Sequence, residues 1–156
     1  MSAAGARYAG IATRALALAV DVAIAQAIVL GCAAVIGLVA SLAGEFHLGP
    51  TGRWVAAAAW ALAIGTYFVT FWSTAGQTPA MRMMDIRVTT ATGEIPGIPR
   101  SIVRLIGLVL AIIPFFAGFL PVLVDDRRRG IHDMMAGTVV QHGDTPGGPW
   151  LSAPTP

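Results

Sequence analysis

The stretch RALALAVDVAIAQAIVLGCAAVIGLVASLAG, residues 14–44, decides the fold. Arg14 opens it, Asp21 follows seven residues later, and no charge occurs from Val22 to Gly44. About 20 apolar residues at ~1.5 Å each cross ~30 Å of hydrocarbon, so a first membrane span is expected from Ala15 to Ala43. The run is too long for the apolar core of a cleavable signal peptide, and Asp21 interrupts it. Residues seven apart on a helix lie ~20° apart around the axis and ~10 Å along it, which puts Arg14 and Asp21 on one face. Arg14 can snorkel to the headgroups, whereas Asp21 is too short. A carboxylate deep in hydrocarbon costs ~2.5–3.5 kcal/mol on insertion scales and needs a polar partner or a wet cavity. Arg14 and Arg104 are the expected partners. Asp21 then either pins helices together through a buried pair or belongs to a polar site.

Composition agrees with a membrane domain. The 156 residues are 56% hydrophobic and only 12% charged, with a mean hydropathy of +0.72. Soluble domains carry roughly 25% charged residues. All ten basic side chains are arginine, and they cluster beside the apolar runs. Membrane topology alone places them there, so the pI near 9.3 gives no reason to expect nucleic acid as a partner. Cys32 is the single cysteine and lies within the first run, which excludes an intrachain disulfide and a zinc spacing; a small buried hydrophobe is expected.

A short loop, GEFHLGPTGR, leads to a second span from Trp54 to Trp72, with both tryptophans expected in interfacial belts. Small residues recur every fourth position, at Ala33, Gly37 and Ser41 and at Ala57, Ala61 and Gly65, which allows close helix contact in lipid. The polar stretch from Ser73 to Arg100 follows. Thr78 before Pro79 reads as an N-cap with proline at the first helical position of a short helix through AMRMM. The β-branched IRVTT before the turn TATGE reads as a strand, and GTVVQ, residues 137–141, as its partner, because isolated strands are unstable.

The third apolar run, Leu105 to Val124, is broken by Pro114 and Pro121. It either spans the membrane or forms a re-entrant helical hairpin with both ends on one face. The hairpin leaves nine arginines on the cytoplasmic side and only Arg53 outside, whereas a span splits them six to four. The positive-inside rule and the strand pairing both favour the hairpin. The expected architecture is an all-α membrane protein with two transmembrane helices, a re-entrant hairpin and a small cytoplasmic two-stranded β element. His132 is expected on a solvated face, not in a dyad with its neighbour Asp133, and Asp133 is expected to pair with Arg129 four residues earlier. The Met81, Met83 and Met84 group is expected to pack at the membrane surface. No nucleophile–base set, phosphate loop or metal-ligand set is visible.

AGIATRALALAVDVAIA, STAGQTPAMRMMDIRVTTATGEIPGIPRSIVRLIG and RRRGIHDMMAGTVVQ together resemble the RDD family of small bacterial membrane proteins, over most of residues 7 to 142. The family is named for an arginine and two aspartates, which match Arg14, Asp21 and Asp133. Ala80 departs from the glycine frequent after the TP pair, which bears on the local turn. The resemblance implies a membrane domain over residues 1–142; the tail, residues 143–156, is rich in Pro and Gly and is expected to be disordered, with Trp150 at the interface. The candidate binding residues are Arg14, Asp21, Gln77, Arg82, Arg104 and Asp133, and no cofactor and no metal are expected. Family members have been linked to transport, including sodium–proton exchange. The expected function is therefore transport of an ion or small solute by a homo-oligomer in the bacterial plasma membrane, both termini cytoplasmic. A non-enzymatic accessory or assembly subunit of a larger membrane complex is the alternative.

Overall fold

The computed structural model describes residues 8–44, 49–112, 120–125 and 128–142. Two long apolar helices, α1 (Ile11–Ala43) and α2 (Pro50–Thr74), are both long and apolar enough to cross a membrane. They begin four residues earlier than the apolar runs read from sequence, and α2 has Pro50 at its first position, where a missing N–H costs nothing. A short helix α3 (Pro79–Met83), a strand β1 (Ile86–Thr90), α4 (Ile98–Ile112), α5 (Pro121–Val124), α6 (Ile131–Ala136) and a strand β2 (Thr138–His142) complete the order. The expected short helix and strand pair are present. β1 and β2 run antiparallel with Val88 opposite Val140, and Tyr8 bridges Gln141 on the far edge of β2.

The core lies where the inner end of α1 and the end of α2 meet this cap. Arg14, Ala17, Asp21 and Ala25 are the buried residues of α1, and their spacing of three or four traces one face. Phe68 and Trp72 from α2, Met81, Ile86, Val88, Leu108 and Val140 pack with them. Beyond Ala25 the outer half of α1 buries nothing within the chain. Gly31 and Gly37 have no atom within 4 Å of where a Cβ would stand, so the small residues of the outer half are not used by the chain's own packing. Cys32 is exposed on this same apolar surface, not buried as expected, because no second helix covers it.

The third apolar run is not one helix of its own. α4 starts seven residues before it, which places Arg100 and Arg104 inside the helix rather than ahead of it. Ser101, Arg104, Leu108 and Ala111 face the core, while Ile102, Val103, Ile106, Val109 and Leu110 stay exposed. The proline-broken centre at residues 113–119 lies outside the described residues, as does the tail from 143. The segments flanking the run nevertheless meet: β1 pairs with β2, and α4 packs on α6.

Two glycines are required by close approach. Gly76 has φ of +64°, and a Cβ there would stand 2.8 Å from the Val88 carbonyl oxygen. A Cβ on Gly107 would stand 2.8 Å from the Cα of His132. Gly107→Ala is therefore expected to force α4 and α6 apart and to destabilise by ~1–3 kcal/mol, the usual range for overpacking. Gly37→Ala should leave stability unchanged or slightly raised, because its site is open and alanine favours helix. Melting temperatures of the two variants in detergent check the pair; equal losses would exclude this packing.

Candidate functional site

The candidate binding residues fall into three places. The first is a buried cluster around Asp133, which is 0% exposed. Arg14 Nη1 donates to Asp133 Oδ2 at 2.6 Å, and Arg104 Nη1 lies 2.5 Å from Oδ1. Gly130 N donates to Oδ2 at 3.2 Å, so the same carboxylate also caps α6. Each guanidinium has further work. Arg14 Nε donates to the Ala9 carbonyl at 3.1 Å and its Nη2 to the Val140 carbonyl at 3.3 Å. Arg104 Nη1 donates to the Thr138 hydroxyl at 3.0 Å, and the group sits 4.9 Å from the centre of the Trp72 ring. One ionic cluster thus ties α1, α4, α6 and β2 together.

The expected pairing of Asp133 with Arg129 does not form. Arg129 instead grips Asp125 through two bonds of 3.0 Å, because Asp133 is turned inward by the packing of α6 on α4. His132 is also buried rather than solvated, and its Nε2 lies 3.5 Å from Asp133 Oδ1. Trp72 is buried beneath Arg104 and is not an interfacial anchor, whereas Trp54 is exposed.

The second place is Asp21, 1% exposed. Its expected arginine partner is absent, since both candidates serve Asp133. Three uncharged donors take its place: Tyr67 Oη at 3.1 Å and Ala80 N at 3.0 Å on Oδ1, and the Thr78 hydroxyl on Oδ2. Thr78 is the N-cap of α3, as expected, accepting from Met81 N at 3.4 Å while donating to Asp21. Asp21 therefore satisfies the exposed donors at the start of α3 and pins that helix to α1. The Ala80 departure is harmless, because the position is helical and only its amide is used. Met81 is buried in this contact and Met83 is exposed.

The third place is an open groove of about 1100 Å³ that Gln77 and Arg82 line and that none of the four buried charged residues reaches. Sequence reasoning identified the arginine and both aspartates but paired them wrongly. It also missed Tyr67 and Thr138 as partners; the available signal was Thr78, an N-cap whose neighbouring amides need an acceptor.

Burial pushes the Asp133 carboxyl up, but the guanidinium of Arg104, with His132 and Arg14, outweighs it and holds the group below the ordinary value. Burial pulls His132 down to about 4, against the opposing pull of Asp133. The folded imidazole is thus neutral while the unfolded one takes up a proton below its ordinary 6.5. Its contribution is complete above that value, falls between pH 6.5 and about 4, and amounts to ~3 kcal/mol in total. The Asp133 contribution is lost only at lower pH, as acid protonates the folded carboxylate. Wild-type melting temperature should fall across that upper window, and the slope should vanish in His132→Asn. Asp133→Asn strips the counter-charge from two buried guanidinium groups and should cost ~3–5 kcal/mol at neutral pH. A melting shift indistinguishable from a surface substitution would exclude the cluster.

No curated protein and no solved structure matches the chain. The model of the RDD family matches residues 8–137, a stretch that contains Arg14, Asp21, Arg104 and Asp133, and the chain belongs to the RDD family.

Proposed function

We propose that the chain is a non-enzymatic, multi-pass protein of the bacterial plasma membrane that serves as an accessory or assembly subunit of a larger membrane complex. One observation carries this reading: the buried charges are closed on themselves. Arg14, Arg104, Asp21 and Asp133 sum to zero, and all four carboxylate oxygens contact donors of the same chain. Neither Val22–Ala43 nor Trp54–Thr74 contains a charged residue, so one copy offers no charged relay across the hydrocarbon. What the chain leaves unused is apolar surface on the outer halves of α1 and α2, suited to a helix of another subunit.

In this reading both termini and the 74–104 segment are cytoplasmic, and Leu105–Val124 is re-entrant. The arginine distribution, the β1–β2 pairing and the exposed apolar face of α4 support it. Reporter fusions after Val124 and after Gln141 should both signal cytoplasm; a periplasmic signal at Gln141 would mean that the run spans.

A second reading, transport of an ion or small solute by a homo-oligomer with Asp21 as cation or proton carrier, has its own support. Asp21 lies within an apolar helix with neutral donors and no basic partner among the described residues. Protonation would weaken the acceptor that holds α3 and so couple charge to movement of the cap. Purification from native membranes separates the two readings. Stoichiometric foreign subunits are expected; self-association alone would overturn the accessory role and favour transport.

A further inference from the structure

The groove beside β1 is independent of the buried charges and differs from them in one respect. Arg82, Arg87, Asp85 and Glu94 all line it, yet among the described residues none of the four is ion-paired with another. The buried charges of Arg14, Arg104, Asp21 and Asp133 sum to zero across the two clusters; these four are exposed side chains around an open space. Arg82 comes from α3, Asp85 from the junction between α3 and β1, Arg87 from β1 and Glu94 from the turn after it. Gln77 spaces them, accepting from Arg87 Nη2 at 3.5 Å and donating to the Ile86 carbonyl at 3.2 Å. Asp85 adopts φ of +50°, an uncommon conformation for a residue with a side chain, and such outliers gather where a site needs a group in one place.

A separate observation points to a ligand. Thr89 shares a strand face with Arg87, lines the groove and is only 3% exposed, yet its hydroxyl has no hydrogen-bond partner among the described residues. Buried hydroxyls in proteins are nearly always satisfied.

We infer that this groove binds a zwitterion, a single small molecule that carries an anionic oxyacid group and an ammonium. Arg82 and Arg87 take the phosphate or carboxylate, and Asp85 and Glu94 take the ammonium. A bare anion would meet two carboxylates, and a bare cation two guanidinium groups; a molecule with both signs meets neither penalty. Ala75, the residue that follows α2, lines the same groove, so it opens where an apolar helix ends. The chemistry is shared by an aminoalkyl phosphodiester lipid headgroup and by a free amino acid.

The test uses the full chain in nanodiscs of phosphatidylglycerol alone, which supply no competing zwitterion. Glycerophosphoethanolamine and free alanine are titrated calorimetrically beside glycerol phosphate and ethanolamine, which carry one charge each. Saturable binding of at least one zwitterion is expected, at least ~10-fold tighter than either single-charge probe. Saturation by glycerophosphoethanolamine identifies the headgroup as the source, and by alanine alone a free solute. Arg82→Gln and Glu94→Gln should each weaken binding by at least ~10-fold, the loss of one charge-assisted contact. The proposal is overturned if neither zwitterion saturates, if glycerol phosphate or ethanolamine binds as tightly, or if Glu94→Gln leaves the affinity unchanged. The comparison of probes on the unaltered protein decides the matter even where a variant folds poorly, and it is blind to whether foreign subunits accompany the chain.

Discussion

A single carboxylate, Asp133, sits between the guanidinium groups of Arg14 and Arg104 in a site that water does not reach. Two cations that close repel one another, and each is costly to bury. Only an anion between them makes the arrangement tolerable, and only a short helix turned inward delivers it. Gly107 is what lets that helix come near enough, because any Cβ there would stand against the backbone of His132. The cluster reaches across sequence separations of more than a hundred residues, from the start of α1 to α6 and β2. Removing the anion would undo the meeting of four elements at once.

Such a cluster is a poor source of net stability, since the desolvation of three ions opposes their attraction. Its contribution is specificity. A cap of two five-residue strands and short helices has a small apolar core of its own, and apolar contacts tolerate sliding. Fixed donors and acceptors do not. Arg14 meets the carbonyls of Ala9 and Val140, and Arg104 meets Thr138, so the register between the cap and the long helices has one solution. Asp21 performs the same task one level further along α1, with hydroxyls and an amide in place of guanidinium groups.

The architecture divides into two regimes. At the cap, charged groups are buried and paired with one another or with polar donors of the same chain. On the outer side, α1 and α2 present apolar surface with little internal contact, joined by a bond of 2.9 Å from Trp60 Nε1 to Gln26 Oε1. Helix association in lipid has no hydrophobic driving force, so these outer halves are held by packing and isolated polar contacts alone. That asymmetry separates the specified cap from the surface open to lipid or to other subunits.

The amino-acid sequence by itself determined the local elements: two long apolar helices, the Thr78–Pro79 helix start, the β-branched strand pair and the shared face of Arg14 and Asp21. Each follows from properties that act within a few residues, namely apolar length, capping, β-branching and helical period. It also singled out the charged residues, because a charge beside hydrocarbon is conspicuous in any sequence. It did not determine who pairs with whom. Spacing drew Asp21 toward Arg14 and Asp133 toward Arg129, and it left His132 in solvent. The tertiary structure decided otherwise, because pairing depends on which groups share a desolvated volume. Asp133 is buried between two guanidinium groups only once α6 packs on α4, and Asp21 finds its donors only once the start of α3 is laid against α1.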